Sequence, residues 1–260
     1  MPDYILFRKS RNVASSVLHV FFNLALGVLS IAVTYLTKSW YLGIILVLIS
    51  KWRMFLVRPR YWVLNLKSNL VDLIVGISFV LITYCSGDSF LPIHVILAVL
   101  YCAWLIFLKP RSSTVATALQ ALTAMYLGTT CATLIFANAD AIFLTASCAV
   151  VAFASARHVL VQSDDTDFSI IPLTAALVAA EISWLSQSWL IVYSFPTLGI
   201  IVPQLSLVML IAAVAFGYIY KSIKENEGRL NFGEVAMLVF FSIILIAVIV
   251  LGFSKPIFNV

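Results

Sequence analysis

The chain has 260 residues, 63% of them hydrophobic and only 10% charged, with a mean hydropathy of +1.08. A soluble domain carries about 25% charged residues, so this chain lacks the polar surface that a water-facing globule needs. Its net charge of +5 sits in short loops between apolar runs, the distribution that orients a membrane protein rather than one that grips nucleic acid.

A bilayer-crossing helix needs about 20 mostly apolar residues. Nine such segments are predicted, at 15–37, 40–57, 66–85, 91–108, 114–136, 140–160, 170–193, 198–220 and 232–253. Together they form one integral membrane domain over residues 1–260. The fold class expected is an all-α transmembrane bundle. Arg8, Lys9 and Arg11 precede the first segment. It is longer than the ~7–15 residue apolar core of a signal peptide, and no small-residue cleavage pattern follows it. It therefore reads as a retained first helix, with His19 and Asn23 on one face.

The second segment ends in SKWRMFLVRPRYW, which gathers Lys51, Arg53, Arg58 and Arg60 with Trp52, Phe55, Tyr61 and Trp62. Pro59 stops the helix because its ring removes a backbone donor. The cations hold this loop at the cytoplasmic face, and the aromatics suit the headgroup zone, with residues 58–68 along the interface. A second reading gives Lys51, Arg53, Arg58, Arg60 and Trp62 an anionic headgroup or phosphate to bind, for which arginine's planar fork is suited. Asp72 opens the third segment, where the helix dipole favours an acid, with Lys67 or Arg60 as its expected partner.

His94 begins the fourth segment, Gln120 lies in the fifth and Asp140 opens the sixth. Cys85, Cys102, Cys131 and Cys148 are scattered without a C-x-x-C pair and read as small buried hydrophobes. In the seventh segment Glu181 stands alone among apolar residues, in AAEISWLSQSW. A carboxyl at bilayer depth costs roughly 2.5–3.5 kcal/mol on insertion scales, so it is expected to face the bundle interior. Trp184, Leu185 and Ser188 share its helix face and Gln187 lies beside it. Glu181, Trp184, Gln187 and Ser188 form the candidate site for a proton or a polar substrate. The alternative is a structural bond to Gln120 or to a Ser or Thr. Pro196, Gly199 and Pro203 mark an irregular outer connection or a broken helix, with Gln204 following. Asn231 and Glu234 have capping-box spacing at the ninth segment.

With a cytoplasmic N-terminus, fourteen of the sixteen Lys and Arg residues fall inside. They are Arg8, Lys9, Arg11, Lys51, Arg53, Arg58, Arg60, Lys67, Lys109, Arg111, Arg157, Lys221, Lys224 and Arg229; only Lys38 and Lys255 fall outside. This asymmetry supports the nine-segment count independently of hydropathy, and it places the C-terminus outside.

The acidic loop SDDTDFS, with Asp164, Asp165 and Asp167, lies on the cytoplasmic side. UbiA-type prenyltransferases resemble this chain in having nine helices, a cytoplasmic N-terminus and an acidic motif in the corresponding loop. That family's first acidic motif would fall on KWRMFLVRPR, which holds no acid, and the spacing of the second differs. The loop otherwise reads as a solvated cap for the next helix. The blocks SKWRMFLVRPRYW, NLVDLIVG and EISWLSQSW resemble uncharacterised polytopic membrane proteins of candidate-phylum bacteria with reduced genomes. That resemblance implies no known activity.

No G-x-S-x-G, P-loop, G-x-G-x-x-G or H-E-x-x-H motif occurs, so neither a catalytic residue, a cofactor nor a metal is assigned. The expected location is the plasma (inner) membrane, with the bilayer, cytoplasmic anionic headgroups and a membrane-protein partner as contacts. Three functions are expected from these features. The first is a small carrier or binding protein built on Glu181. The second is a structural or assembly subunit of a membrane complex. The third is a lipid-phosphate or prenyl-transfer enzyme using the cytoplasmic loops.

Overall fold

The computed structural model describes residues 2–52, 58–87, 91–162, 170–189, 191–195, 200–226, 229 and 231–252. In chain order it contains α1 (Pro2–Thr37), α2 (Trp40–Ser50), α3 (Trp62–Ser68), α4 (Leu70–Cys85), α5 (Leu91–Ala103), α6 (Thr114–Phe136), α7 (Ala141–Gln162) and α8 (Ile170–Ser186). Then come strands β1 (Val192–Phe195) and β2 (Ile200–Pro203), followed by α9 (Gln204–Glu225) and α10 (Phe232–Ala247). α5 and α10 each run on into a wide π turn, at Trp104–Leu108 and Val248–Gly252. Among the described residues the structure is helical apart from one hairpin and the short connections between elements. Among the described residues five windows are long and apolar enough to cross a bilayer: Val20–Thr37, Thr114–Phe136, Ala141–Val161, Gln204–Glu225 and Val235–Gly252. Shorter apolar helices cover Trp40–Ser50, Leu70–Cys85, Pro92–Leu108 and Ile170–Ser186. By length and composition these helices suit a membrane.

Several boundaries differ from the sequence expectation. α1 starts at Pro2 rather than at 15, because no proline or glycine interrupts it before Gly27. Its 36 residues reach about 54 Å at 1.5 Å per residue. α2 stops at Ser50 rather than at 57, capped by Lys51, whose backbone N–H bonds back to Leu48 O at 3.0 Å. Its 11 residues cover only about 16 Å. The third segment divides into the short, exposed α3 and the buried α4, with Asn69 between them.

The expected helix over 170–193 ends at Ser186, and the expected helix over 198–220 starts only at Gln204. Between them β1 and β2 pair antiparallel, with Val192 opposite Pro203 and Phe195 opposite Ile200. The β-branched and aromatic runs IVYSF and IIVP stand on either side of PTLG in the sequence. Pro196 and Pro203 cannot donate within a helix, so the chain takes the hairpin instead.

α6 stands at the centre, between two apolar cores. On one side Ile31, Val75, Phe79, Leu97, Tyr101 and Trp104 pack with its Ala124. On the other, Leu144, Cys148, Ala152, Ala179, Leu205 and Met209 pack with its Met125 and Ala132. Lipid tails are as apolar as leucine, so helices in a membrane associate through close packing and small residues. Gly43 and Gly128 are such residues. A Cβ on Gly43 would collide with Thr34 Oγ1 and lie 2.6 Å from Val80 Cγ1; one on Gly128 would lie 2.8 Å from Val151 Cγ2.

Polar contacts fix the two ends of the bundle. One end joins the last residues of α2, α5 and α7 to the first turns of α4 and α6. At the other, Tyr35 stacks on His94 with centroids 4.4 Å apart, and Thr130 donates to Ser206 at 2.9 Å. There Gln204 donates to Tyr193 Oη at 3.0 Å and to Ile249 O at 2.8 Å. One side chain thus ties the hairpin to α9 and to the π turn that ends α10.

Candidate functional site

Two places carry polar chemistry. The first is Asp72, in the first turn of α4 and 9% exposed. The Lys51 ammonium pairs with Asp72 Oδ2 from the end of α2. Lys109 reaches the same oxygen at 2.8 Å from just past the π turn. The Trp104 indole donates to Oδ1 at 3.2 Å. Removing a charge from water costs several kcal/mol unless it is paired and hydrogen-bonded; here both carboxylate oxygens are satisfied. The node holds two cations to one anion. The surplus lies toward Lys109, whose side chain is 32% exposed, while Lys51's is only 6% exposed. Asp72 therefore pairs with Lys51 and Lys109, not with the expected Lys67 or Arg60.

Gln120 extends this end. Its amide donates to Leu108 O at 2.6 Å and to Arg111 O at 2.9 Å. Two carbonyls fix the amide nitrogen, so Oε1 is the atom facing His158 Nε2 at 2.7 Å. An amide oxygen only accepts, so His158 carries its proton on Nε2 there. Gln120 is thereby committed away from Glu181, which corrects the bond proposed between them. Ser113 supplies a helix cap that sequence reading missed: Ala116 N–H donates to Ser113 Oγ at 3.3 Å. Asn231, by contrast, makes no side-chain cap on α10.

The expected basic headgroup cluster is divided. Lys51 turns inward to Asp72, because a buried acid is a better partner than solvent for a lysine at this position. Arg58, Arg60 and Trp62 remain exposed, and Arg60 stacks on the Tyr61 ring at 4.6 Å. Arg53 and the acidic residues Asp164, Asp165 and Asp167 lie outside the described residues, as do the side chains of His19 and Glu234. No group of three His, Cys, Asp or Glu residues comes together among the described residues.

The second place is α8. Pro172, Ala179 and Ser183 are buried on one side, against α7. The Ser183 side chain lies beside the Cys148 thiol, and its hydroxyl donates back to Ala180 O at 2.9 Å. The opposite side is an exposed stripe of Leu173, Leu177, Glu181, Trp184 and Ser188, with Leu185 beside it. Gln187 is half-buried in the 3-10 turn that follows. Glu181 thus points away from the bundle, not into it as the sequence reading expected. α8 lies at the rim, and among the described residues only one of its faces is packed. Among the described residues none forms an ion pair or a side-chain hydrogen bond with Glu181.

Its place along the bundle follows from Cys148, which lies seven residues, or about 10 Å, from the start of the 22-residue α7. Glu181 lies two residues further from that end than Ser183, so about 13 Å along a helix of about 33 Å. The open groove lined by Phe21, Leu24, Val28 and Leu29 runs along α1 and is apolar. No family model, curated protein or solved structure matches the chain.

Proposed function

We propose that the chain is a subunit of a membrane assembly and that a partner covers the exposed face of α8. In this reading nine helices cross the membrane, α1, α2 and α4–α10, with α3 along the interface. The N-terminus is cytoplasmic, the C-terminus is outside, and the membrane is a bacterial-type plasma membrane. The distribution of Lys and Arg supports this orientation, as do the end-to-end contacts that alternate helix direction. α2, at 11 residues, accounts for only part of its crossing.

The observation that carries the assembly reading is Glu181 at mid-depth in an exposed stripe. α10 provides the comparison within the same chain. Its exposed face is Met237, Phe240, Phe241, Ile243 and Leu245, all apolar, which is what acyl chains solvate. The face of α8 differs by a carboxyl that lipid cannot solvate. A carrier would instead draw Glu181 toward a polar interior.

A photoreactive benzoyl-phenylalanine at Leu185 or Phe240, irradiated in native membranes, tests the reading. A protein adduct from 185 and lipid alone from 240 is the expected result. Lipid alone from both positions would remove the assembly reading.

A further inference from the structure

We infer that the partner is a transmembrane helix carrying lysine or arginine at the depth of Glu181. This inference rests on the assembly reading above and names the chemistry of the partner.

The stripe offers two acceptors for a cation. Glu181 supplies a carboxylate, and Trp184, one turn further and 60% exposed, supplies an indole face that attracts ammonium or guanidinium groups. Ser188 adds a hydroxyl a turn beyond. The flanking Leu173, Leu177 and Leu185 are apolar, as a helix–helix contact in lipid requires. Ionisable groups inside a membrane pair with one another because hydrocarbon solvates neither sign.

The alternatives fit less well. Acyl chains bring no donor. A second copy of this chain, docked by the same face, would set carboxylate against carboxylate. Among the described residues no lysine or arginine lies at that depth: Lys38 follows α1, Lys51 and Lys109 are held by Asp72, Arg157 lies in the last two turns of α7, and Lys221 and Lys224 lie in the last turns of α9. The cation must come from another chain.

The test uses the purified protein in phosphatidylcholine vesicles with dye-labelled, leucine-rich transmembrane peptides. Their central residue is Lys, Leu or Asp, and association is read by energy transfer. The Lys peptide should associate about five- to thirty-fold more strongly than the Leu peptide. Glu181→Gln should bring it down to the Leu level. Glu181→Lys should lose the Lys peptide and gain the Asp peptide, a recovery that a misfolded variant could not give. Equal association of the Lys and Leu peptides would overturn the cation while leaving a partner on α8 standing. Energy transfer between two protein copies that Glu181→Gln abolishes would assign the face to a second copy and overturn the inference. Failure of the assembly reading itself would be read separately, as the missing protein adduct at 185.

Discussion

Glu181 and Ser183 lie two residues apart on α8 and face opposite ways. Two residues turn a helix by about 200°, so Ser183 is fully buried beside Cys148 while Glu181 is exposed among leucines. The boundary between the bundle and its surroundings passes between them. Leucine at these two positions should therefore have opposite effects on the purified protein. Ser183→Leu overfills a closed contact and should cost about 1–3 kcal/mol. Glu181→Leu should leave stability unchanged or raise it, because none of the described residues pairs with the carboxyl. Unfolding midpoints in detergent separate the two; a large loss from Glu181→Leu would mean that the carboxyl is bonded within the chain.

At the opposite end of the polar inventory, Asp72 serves two ammonium groups. Asp72→Asn leaves both facing a neutral amide and should cost about 3–5 kcal/mol, the scale for breaking a buried pair. Lys51→Met leaves Asp72 with Lys109 and Trp104, so it should cost less. Lys109→Met should cost least, since its side chain is partly exposed. The order of the three, measured by denaturant titration, checks the account. If Lys109→Met proved the most damaging, the node would be wrongly centred.

Gly43 and Gly217 make a paired test of helix packing. An added methyl at Gly43 meets Thr34, Val80 and the Ser30 carbonyl at once, whereas at Gly217 nothing lies within 4 Å. Thr34 cannot yield freely, because its hydroxyl donates to Ser30 O at 2.7 Å. Gly43→Ala should destabilise by about 1–3 kcal/mol. Gly217→Ala, inside α9, should stabilise by up to about 1 kcal/mol through helix propensity. Thermal unfolding of both variants gives the comparison.

The hairpin depends on Gln204. Gln204→Leu leaves Tyr193 Oη and Ile249 O without their partner, at about 1–3 kcal/mol if they stay buried. Amide exchange over residues 192–203 should quicken in this variant and stay unchanged over α7. Unchanged exchange in the hairpin would mean that its own ladder suffices.

Much of the architecture is legible in the amino-acid sequence, because apolar runs and charges are local signals. The segment expected over 114–136 matches α6, Thr114–Phe136. The hairpin was not legible as such: a short, mostly apolar run such as IVYSF has too little periodicity to separate a strand from a helix. The ion node was hidden for a different reason. Lys51 and Asp72 are 21 residues apart, and Lys51 sits in a segment whose other cations mark a surface, so nothing local distinguishes the one that turns inward. The face of Glu181 could not be read because it depends on whether α8 is central or at the rim, which only packing decides. The sequence signal for the node is long-range: a lysine that ends one apolar segment and an acid that begins the next, 21 residues on.

Water access to position 181 separates a docked partner helix from a carrier. A single cysteine there, with Cys85, Cys102, Cys131 and Cys148 replaced, is exposed in native membranes to a membrane-impermeant thiol reagent from each side in turn. If α8 docks a partner helix at mid-depth, neither side labels it, while an exposed position such as 58 labels fully. Labelling of 181 from either side would establish an aqueous path to the carboxyl, contradict the assembly account and favour a carrier.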